Sequence, residues 1–302
     1  MNPICYSYIR FSLGFKTHTK RKIGYMAKHV VGLLLMITCL GVSVATAQNL
    51  EYGINGFSTT YFGELNNATT FLNNVRYGGG VHARKHLNDW WSLRGDVNWA
   101  RIAGSDNLPG NITNQRNLSF RSNIVEFTGV LEYRFREIGH RRNDFKMTPY
   151  LFGGVNLFRF NPQAEYRNTW YDLKPLSTEG QGMLEYPEST PYALTQLGIP
   201  FGAGLRWALN RYWRLSLEAG YRFIYTDFID DVSGLYVNSD VLSANRGPMA
   251  AILADRRSEL GPNVPPAIEG TFRGTPRERD SFMYFGFSLS YVVYRKTCPR
   301  WK

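Results

Sequence analysis

The sequence predicts an all-β fold, an eight-stranded antiparallel up-and-down transmembrane β-barrel with long extracellular loops. Three observations carry this prediction: a strand with one apolar face and aromatic ends, an N-terminal export signal, and connections that alternate between short and long. In the segment 213–225, alternate residues from Trp213 to Tyr225 are apolar or aromatic, and the residues between them include charges of both signs. Such a strand is typical of the lipid-facing wall of an outer-membrane barrel, although a strand of a soluble sandwich shows the same alternation.

The N-terminal segment 1–47 is interpreted as a signal peptide. Lys28 precedes an apolar run at 30–44, and small residues then form a cleavage site after Ala47. The run has about 15 residues, which is short for a membrane-spanning helix. We therefore expect the chain to be exported and cleaved.

The domain organisation follows from this cleavage. Met26 is the more natural start, because residues 1–25 add basic and aromatic residues that a signal peptide does not need. Residues 1–25 are thus interpreted as a mis-annotated extension. The barrel is predicted at 48–294, and a periplasmic C-terminal tail at 295–302.

The net charge has to be counted after cleavage. The whole chain has 35 basic and 24 acidic residues and a formal net charge of +11. The segment 1–47 holds six of the basic residues and none of the acidic ones, which leaves 29 basic residues and a net charge of +5. A nucleic-acid partner is therefore not predicted. Only one of the three cysteines remains, Cys298, which excludes an internal disulfide framework.

Eight segments of the mature chain have the length and alternation of tilted membrane strands. They lie near 51–59, 76–87, 91–103, 121–135, 148–160, 194–209, 213–227 and 281–294. The mature chain has no apolar run long enough for a transmembrane helix. A closed barrel still satisfies every backbone group within a bilayer, because each strand pairs with two neighbours.

The connections between these strands alternate in length. Tight turns at 88–90 and 210–212 and a moderate basic segment at 136–147 are predicted on the periplasmic side. Long connections are predicted outside the cell, near 60–75, 104–120, 161–193 and 228–280. An even strand number places both termini in the periplasm. These features predict a protein of the outer membrane of a Gram-negative bacterium, with outer-membrane lipids as its surroundings.

An eight-stranded barrel is only wide enough for side chains to fill it. The inward positions carry a predicted lumen charge network of Arg94, Asp96, Glu126, Glu132, Arg134, Arg206, Arg214, Glu218 and Arg222. Buried charges of both signs are tolerable only when they pair and form hydrogen bonds. The sequence therefore predicts a plugged barrel rather than a pore.

No catalytic residue, cofactor or metal site is predicted. His82 and His86 share the inward face of one strand, but residues four apart on a strand are about 13 Å apart, too far to bind one ion. They are interpreted as polar filling of the lumen. No serine lies beside a histidine and a carboxylate in an evident way, so the chain is predicted not to be an enzyme.

Two predicted periplasmic features are candidate contacts. His140, Arg141 and Arg142 form a basic turn, which is either solvated or in contact with an acidic partner or a headgroup. Cys298 lies in the C-terminal tail, where a single thiol in an oxidising compartment is inert, capped or joined to another chain by a disulfide.

Several segments carry a resemblance to a known family. They are 53–65, 116–127, 148–162, 170–182, 226–234 and the terminal Cys-Pro-Arg. In these segments the chain resembles the DUF6089 family of outer-membrane barrels, which includes PorG-like components of the type IX secretion system. The resemblance implies a role in protein transport, as an anchoring or assembly component over a periplasmic ring of PorK-like and PorN-like proteins. It also implies a possible partner for Cys298 and the basic segment 136–147.

The segment 170–182 is the most specific of these motifs and lies in a predicted external loop. Its candidate residues are Trp170, Tyr171, Leu173, Glu179, Gly180 and Gly182. They are interpreted as a lid over the barrel mouth or as a binding site for an external partner. Two other functions stay open for the whole chain: an OmpA- or OmpX-like surface barrel with an adhesive or protective role, and a lipid-modifying enzyme.

Overall fold

Nine β-strands form one sheet, and eight of them close into a barrel. The computed structural model describes residues 50–66, 74–106, 116–136, 146–275 and 279–294, all in the compact unit 48–302. The predicted signal peptide, the predicted tail with Cys298, and the turn residues His140, Arg141 and Arg142 lie outside the described residues. The strands are β1 (Leu50–Phe62), β2 (Arg76–His86), β3 (Trp91–Ser105), β4 (Ser119–Arg134), β5 (Met147–Tyr166), β6 (Thr169–Asp172), β7 (Thr195–Ala208), β8 (Trp213–Ile224) and β9 (Ser281–Val293).

The barrel closes between its first and last strands. β1 pairs with β9 along its whole length, from Leu50 opposite Val293 to Phe62 opposite Ser281. Every other barrel strand pairs antiparallel with its neighbours in the chain, and β5 pairs with β7 because the short β6 lies outside the closed sheet. The predicted eight-stranded antiparallel up-and-down barrel is confirmed.

The strand positions follow the alternation in the sequence, with one difference. The prediction ended the fifth strand near residue 160, whereas β5 continues to Tyr166 and turns back into β6. The outward positions beyond 160 carry Asn161 and Gln163, and their polarity made this part of the strand resemble a loop. This hairpin extends one side of the barrel beyond the apolar band.

The outward face of the barrel is apolar and exposed. Phe127 is 59% exposed and Phe287 is 62% exposed. Soluble proteins rarely expose a continuous apolar surface of this kind. Trp91 and Trp213 lie at the first positions of β3 and β8, next to the tight turns. Aromatic girdles of this kind flank the apolar band of outer-membrane barrels. The closed sheet and its apolar wall confirm the predicted location in the outer membrane of a Gram-negative bacterium. None of the helices in the described part of the chain is long and apolar enough to cross a membrane.

The two tight periplasmic turns share one design. The Asn88 side chain accepts hydrogen bonds from the backbone N–H groups of Trp90 and Trp91 at 2.9 and 2.7 Å. Asn210 does the same for Tyr212 and Trp213 at 2.8 and 3.0 Å. An asparagine in this position satisfies the turn backbone locally, so each turn needs few residues.

The outer connections fold into a structured layer, which we call the outer cap (residues 173–194 and 226–275). It contains two short helices, α1 (Ser239–Arg246) and α2 (Pro248–Ala254), and 3-10 turns at Lys174–Leu176 and Arg257–Leu260. Asn238 caps α1 by accepting hydrogen bonds from two backbone N–H groups. Below the cap, the outer end of the barrel is filled by a buried apolar cluster that includes Tyr61, Ile102, Phe120, Ile124, Phe158, Phe160, Ile224 and Ile229.

Candidate functional site

Glu132 is the centre of the charge network inside the barrel. Its side chain is fully buried, and its two oxygens contact three arginines from three other strands. The distances are 2.8 Å to Arg84 Nε, 3.0 Å to Arg94 Nη1 and 2.9 Å to Arg206 Nη2. One carboxylate thus partly neutralises the charges of three buried arginines. The stability of each ion pair therefore depends on the other residues of the network.

Further carboxylates complete the neutralisation around this centre. Arg84 also contacts Glu51 at 2.7 Å, and Arg94 contacts Asp96 at 3.2 Å as well as Glu218. Glu218 accepts hydrogen bonds from the hydroxyl groups of Tyr150 and Tyr284. The backbone leaves room for these rings only at glycines: a Cβ atom on Gly204 would lie 2.5 Å from Tyr150, and one on Gly220 would lie 2.3 Å from Tyr284.

A second group of charges lies nearer the outer end of the lumen. Arg222 contacts Glu126 at 3.0 Å, and Glu126 also accepts hydrogen bonds from Asn98 at 2.9 Å and Asn156 at 3.0 Å. Between the two groups the structure leaves a cavity of about 20 Å³, lined in part by His82 and Arg94. That is about the space that one water molecule needs.

All nine residues of the predicted lumen network point inward and are buried. Seven of them form salt bridges with one another or with Arg84, which in turn pairs with Glu51. Arg134 and Arg214 instead donate to the backbone oxygens of Asn88 and Asn210, at 2.8 and 2.6 Å, and so stabilise the periplasmic turns. Sequence reasoning left Glu51 and Arg84 out of the network, although both occupy inward positions of their strands and the alternation would have found them.

The two lumen histidines have separate partners. His82 Nε2 lies 2.9 Å from Ser290 Oγ. His86 lies between Ser92 Oγ, 2.7 Å from Nδ1, and Glu51 Oε1, 2.7 Å from Nε2. This serine–histidine–carboxylate arrangement corrects the expectation that no such grouping occurs, and it was missed because Glu51 and Ser92 lie on different strands. Ser92 is fully buried, so an acyl substrate has no path to its hydroxyl group.

The outer cap is organised around a buried ion pair. Arg273 is 2% exposed and its Nη1 lies 2.9 Å from Glu179 Oε1. The same guanidinium donates to the backbone oxygens of Ala254 and Asp231, and Glu179 accepts from the backbone N–H groups of Ser233 and Gly234 at 2.9 Å. One arginine thereby joins α2, the 228–234 segment and the 173–194 segment of the cap.

The predicted loop motif is divided between two surfaces. Leu173 is buried and Tyr171 packs beside it in an apolar cluster of the cap, whereas Trp170 lies on β6. Gly180 and Gly182 both have φ of 72°, a left-handed conformation that glycine adopts without strain. Trp170 lies apart from this cluster: the centre of its ring is 3.4 Å from the guanidinium carbon of Arg121, an outward residue of β4.

Four carboxylates meet at the outer end of the barrel. The Tyr61 hydroxyl lies 2.6 Å from Asp230 Oδ2 and 2.7 Å from Asp280 Oδ1. Because a hydroxyl group has one proton to donate, the second contact requires a proton on a carboxyl group. Glu64, Asp227 and Asp280 also bring oxygens within 4.8 Å of one another, a spacing that can hold a hard divalent cation. Their wide separation in the sequence gave no signal for this cluster.

Burial raises the pKa values of this carboxylate cluster. Desolvation, followed by the charge of Asp227 and opposed by the Tyr61 hydrogen bond, raises the pKa of Asp230 to about 7. Desolvation and the neighbouring carboxylates raise the pKa of Glu64 to about 9 and that of Asp280 well above its usual value. The charge of Arg116 opposes this rise at Asp230, but Arg116 itself forms a salt bridge with Asp106 at 2.7 Å. At neutral pH the cluster is thus partly protonated.

We expect the outer cap to lose stability as pH rises from about 5 to about 9. Groups with raised pKa values bind more protons in the folded state than in the unfolded chain, so the free energy of unfolding falls as pH rises, through about 7 for Asp230 and about 9 for Glu64. The protease resistance of the cap, measured at each pH, reports this change. Cleavage of an unfolded substrate at the same pH corrects for the pH dependence of the protease itself. Asp280→Asn should flatten the pH dependence and Glu188→Gln, at an exposed site, should not. An unchanged slope in Asp280→Asn would contradict the assignment.

A family model described as a domain of unknown function, DUF6089, matches residues 28–244. Among solved structures, the chain is similar to Ail, the attachment invasion locus protein of Yersinia pestis, at 8% identity and a TM-score of 0.39, covering 82% of this chain and 100% of that chain. Neisserial surface protein A (NspA) is similar at 10% identity and a TM-score of 0.39, covering 82% of this chain and 99% of that one.

The outer-membrane protein OprG of Pseudomonas aeruginosa is similar at 10% identity and a TM-score of 0.38, covering 83% of this chain and 97% of that one. No match was found among the curated proteins.

Proposed function

Because the chain belongs to the DUF6089 family, we propose that it is a non-enzymatic outer-membrane barrel that acts as an anchoring or assembly component of the type IX protein secretion machinery. The observation that carries this proposal is the filled lumen. Buried ion pairs occupy the middle of the barrel and an apolar cluster fills its outer end, so the barrel does not serve as the export conduit. Its partners are then bound by its rims, with PorK-like and PorN-like ring proteins on the periplasmic side.

A filled lumen has an electrical consequence. We expect the purified full-length mature chain to give no stable single-channel conductance in planar bilayers, because buried ion pairs fill the middle of the lumen. A porin in the same bilayers serves as the positive control. Stable and sizeable conductance from the wild-type chain would contradict the plugged barrel, and with it the anchoring role.

Deletion of the gene tests the secretion role itself. We expect type IX cargo to be retained in the cell and export to return with the wild-type chain. Complementation with His140→Ser, Arg141→Ser and Arg142→Ser, in the predicted periplasmic turn, should restore export poorly, whereas Glu188→Gln in the outer cap should restore it fully. Non-reducing crosslinking with Cys298→Ser as the control identifies a covalent partner. Normal export after deletion would overturn the proposal.

The outer cap favours a second candidate, a surface barrel with an adhesive or protective role. The cap holds an open cleft of about 650 Å³, lined by residues that include Tyr186, Phe228, Tyr236 and Glu269. This size is in the range of ligand sites. Normal export combined with loss of adhesion after deletion would favour this function.

The enzyme remains the weakest candidate. The arrangement of Ser92, His86 and Glu51 has the residue types of a hydrolase triad, but Ser92 has no exposed surface. Catalysis needs a nucleophile that the substrate can reach. Altered lipid A in the deletion strain, reversed by the wild-type chain and not by Ser92→Ala, would support an enzyme instead.

A further inference from the structure

The outward face of the barrel carries one group of cations that neither the lumen nor the outer cap uses. Arg101, Arg121 and Arg159 lie on β3, β4 and β5, which are consecutive in the sheet. They are the only arginines at outward positions of the eight barrel strands, all of whose residues the structure describes. We call these three residues the arginine cluster. All three lie on one side of the barrel, so a binding partner for them would contact that side.

The arginine cluster lies where the apolar band ends at the outer side. The strand register gives a ladder of outward residues whose rungs are, from the middle of the band outward, Val97–Phe127–Leu157, Trp99–Val125–Arg159, Arg101–Asn123–Asn161 and Ala103–Arg121–Gln163. The exposed face therefore changes from apolar to polar within two rungs. In a membrane barrel this change marks the level of the lipid headgroups, where an outward arginine costs far less than at the midplane.

Two of the guanidinium groups are oriented by their neighbours. Arg101 Nε donates to Asn123 Oδ1 at 2.8 Å, and Arg121 Nε donates to Gln163 Oε1 at 3.1 Å. The Trp170 ring packs on the Arg121 guanidinium at 3.4 Å, a cation–π contact that fixes its plane. These contacts use one nitrogen of each arginine, and within the described residues no hydrogen bond occupies the terminal nitrogens.

Among the described residues, the nearby acidic groups form no salt bridge with the arginine cluster, and Glu165 acts on Arg121 only through its charge. The Asp172 carboxylate accepts hydrogen bonds from the side-chain amides of Asn161 at 2.8 Å and Gln163 at 2.7 Å. Within the described part of the chain, none of the three arginines forms a salt bridge. Diagonal neighbours on adjacent strands, such as Arg101 and Arg121, are about 7–8 Å apart, and like charges at this spacing repel. An anion between them would remove this repulsion.

We propose that the arginine cluster binds the headgroup phosphates of an anionic glycolipid of the lipid A type in the outer leaflet. Arginine forks bind phosphate through paired hydrogen bonds, and the apolar rungs directly below offer a surface for the acyl chains of the same lipid. An outward surface at headgroup level favours a membrane lipid over free phosphate. This site is independent of the proposed secretion role, because it requires only the barrel and its depth in the membrane.

The test compares two lipids that differ only in phosphate. The full-length mature chain is reconstituted in phosphatidylcholine vesicles that contain either bis-phosphorylated or dephosphorylated lipid A, extracted gently, and the lipid that stays bound is measured by native mass spectrometry. We expect the wild-type chain to retain the phosphorylated lipid in preference to the dephosphorylated one. The triple variant Arg101→Gln, Arg121→Gln, Arg159→Gln should lose this preference by about tenfold or more, since charge-assisted contacts to phosphate are lost.

Arg279→Gln is the matched control. Arg279 is an exposed arginine at the outer end of β9, where its guanidinium lies 5.8 Å from the Phe223 ring and 5.5 Å from the Tyr225 ring, outside the arginine cluster. It should leave the preference unchanged. If the triple variant does not fold, as judged by heat-modifiable migration, Arg101→Gln with Arg159→Gln keeps the Trp170 contact and replaces it. A wild-type chain without preference, a preference that survives in the folded variant, or equal displacement by inorganic phosphate would overturn the proposal.

Discussion

Replacing Glu132 with glutamine is expected to lower the free energy of unfolding of the barrel by about 3–5 kcal/mol. The glutamine keeps the shape of the side chain and removes its charge. Arg84, Arg94 and Arg206 would then remain buried, at 0–5% exposure of their side chains, with a shared carboxylate missing. Removal of one member of a buried ion pair costs this much free energy of unfolding, because the remaining charges stay buried without a counter-charge.

The measurement is denaturant unfolding in lipid vesicles, followed by the loss of the compact, heat-modifiable form on gels. Glu165→Gln is the matched control, because Glu165 lies on the neighbouring strand β5 at an outward position that forms no salt bridge within the described residues. It should shift the unfolding midpoint little. A Glu132→Gln barrel as stable as the control would show that the lumen network does not hold the strands together.

Replacing Arg273 with methionine is expected to open the outer cap while leaving the barrel folded. The variant leaves Glu179 buried, at 4% exposure, with only backbone N–H groups as partners. Loss of a buried ion pair costs about 3–5 kcal/mol, which would raise the fraction of open cap by about 100-fold or more. The barrel wall does not contact Arg273 through any of the guanidinium bonds described above, so its stability should change little.

The rate of cleavage by chymotrypsin under native conditions measures this opening. The cleavage sites of chymotrypsin do not depend on the arginine that is replaced. Cleavage within the outer cap should accelerate in Arg273→Met. It should not accelerate in Arg246→Met, because the Arg246 side chain is exposed at the end of α1. Heat-modifiable migration of the barrel should be retained. If both variants are cleaved at the wild-type rate, the ion pair of Arg273 and Glu179 does not organise the cap.

The sequence predicts the barrel well because its information is local. Side chains alternate strictly along each strand, so the parity of Arg94 or Glu218 is enough to place it inside. Which inward charges touch each other depends on the stagger between strands, so the contacts of Glu132 with three arginines could not be predicted, although alternation alone places Glu51 and Arg84 inside the barrel. The β5–β6 hairpin was missed for another reason: Asn161 and Gln163 are outward residues above the lipid, where polarity no longer distinguishes strand from loop.

The outer cap was beyond sequence reasoning because its contacts join distant segments. Tyr61, Asp230 and Asp280 come together only after the barrel has placed the end of β1 beside the start of β9. The helices α1 and α2 are short and carry weak periodic patterns, so their main local signals are the cap at Asn238 and the break at Gly247 before Pro248. The turns at Gly180 and Gly182 were predicted from the residue type, because glycine adopts the left-handed conformation without strain.

The position of Glu132 has a consequence for how the barrel assembles. Its three arginine partners come from β2, β3 and β7, and Arg94 reaches on to Glu218 of β8, 124 residues away in the chain. A sheet in which only some strands have inserted would hold several unmatched charges inside a bilayer, a costly state. Partly built barrels are therefore penalised until the late strands arrive, and we expect insertion to be cooperative, with few stable intermediates between the unfolded chain and the closed cylinder.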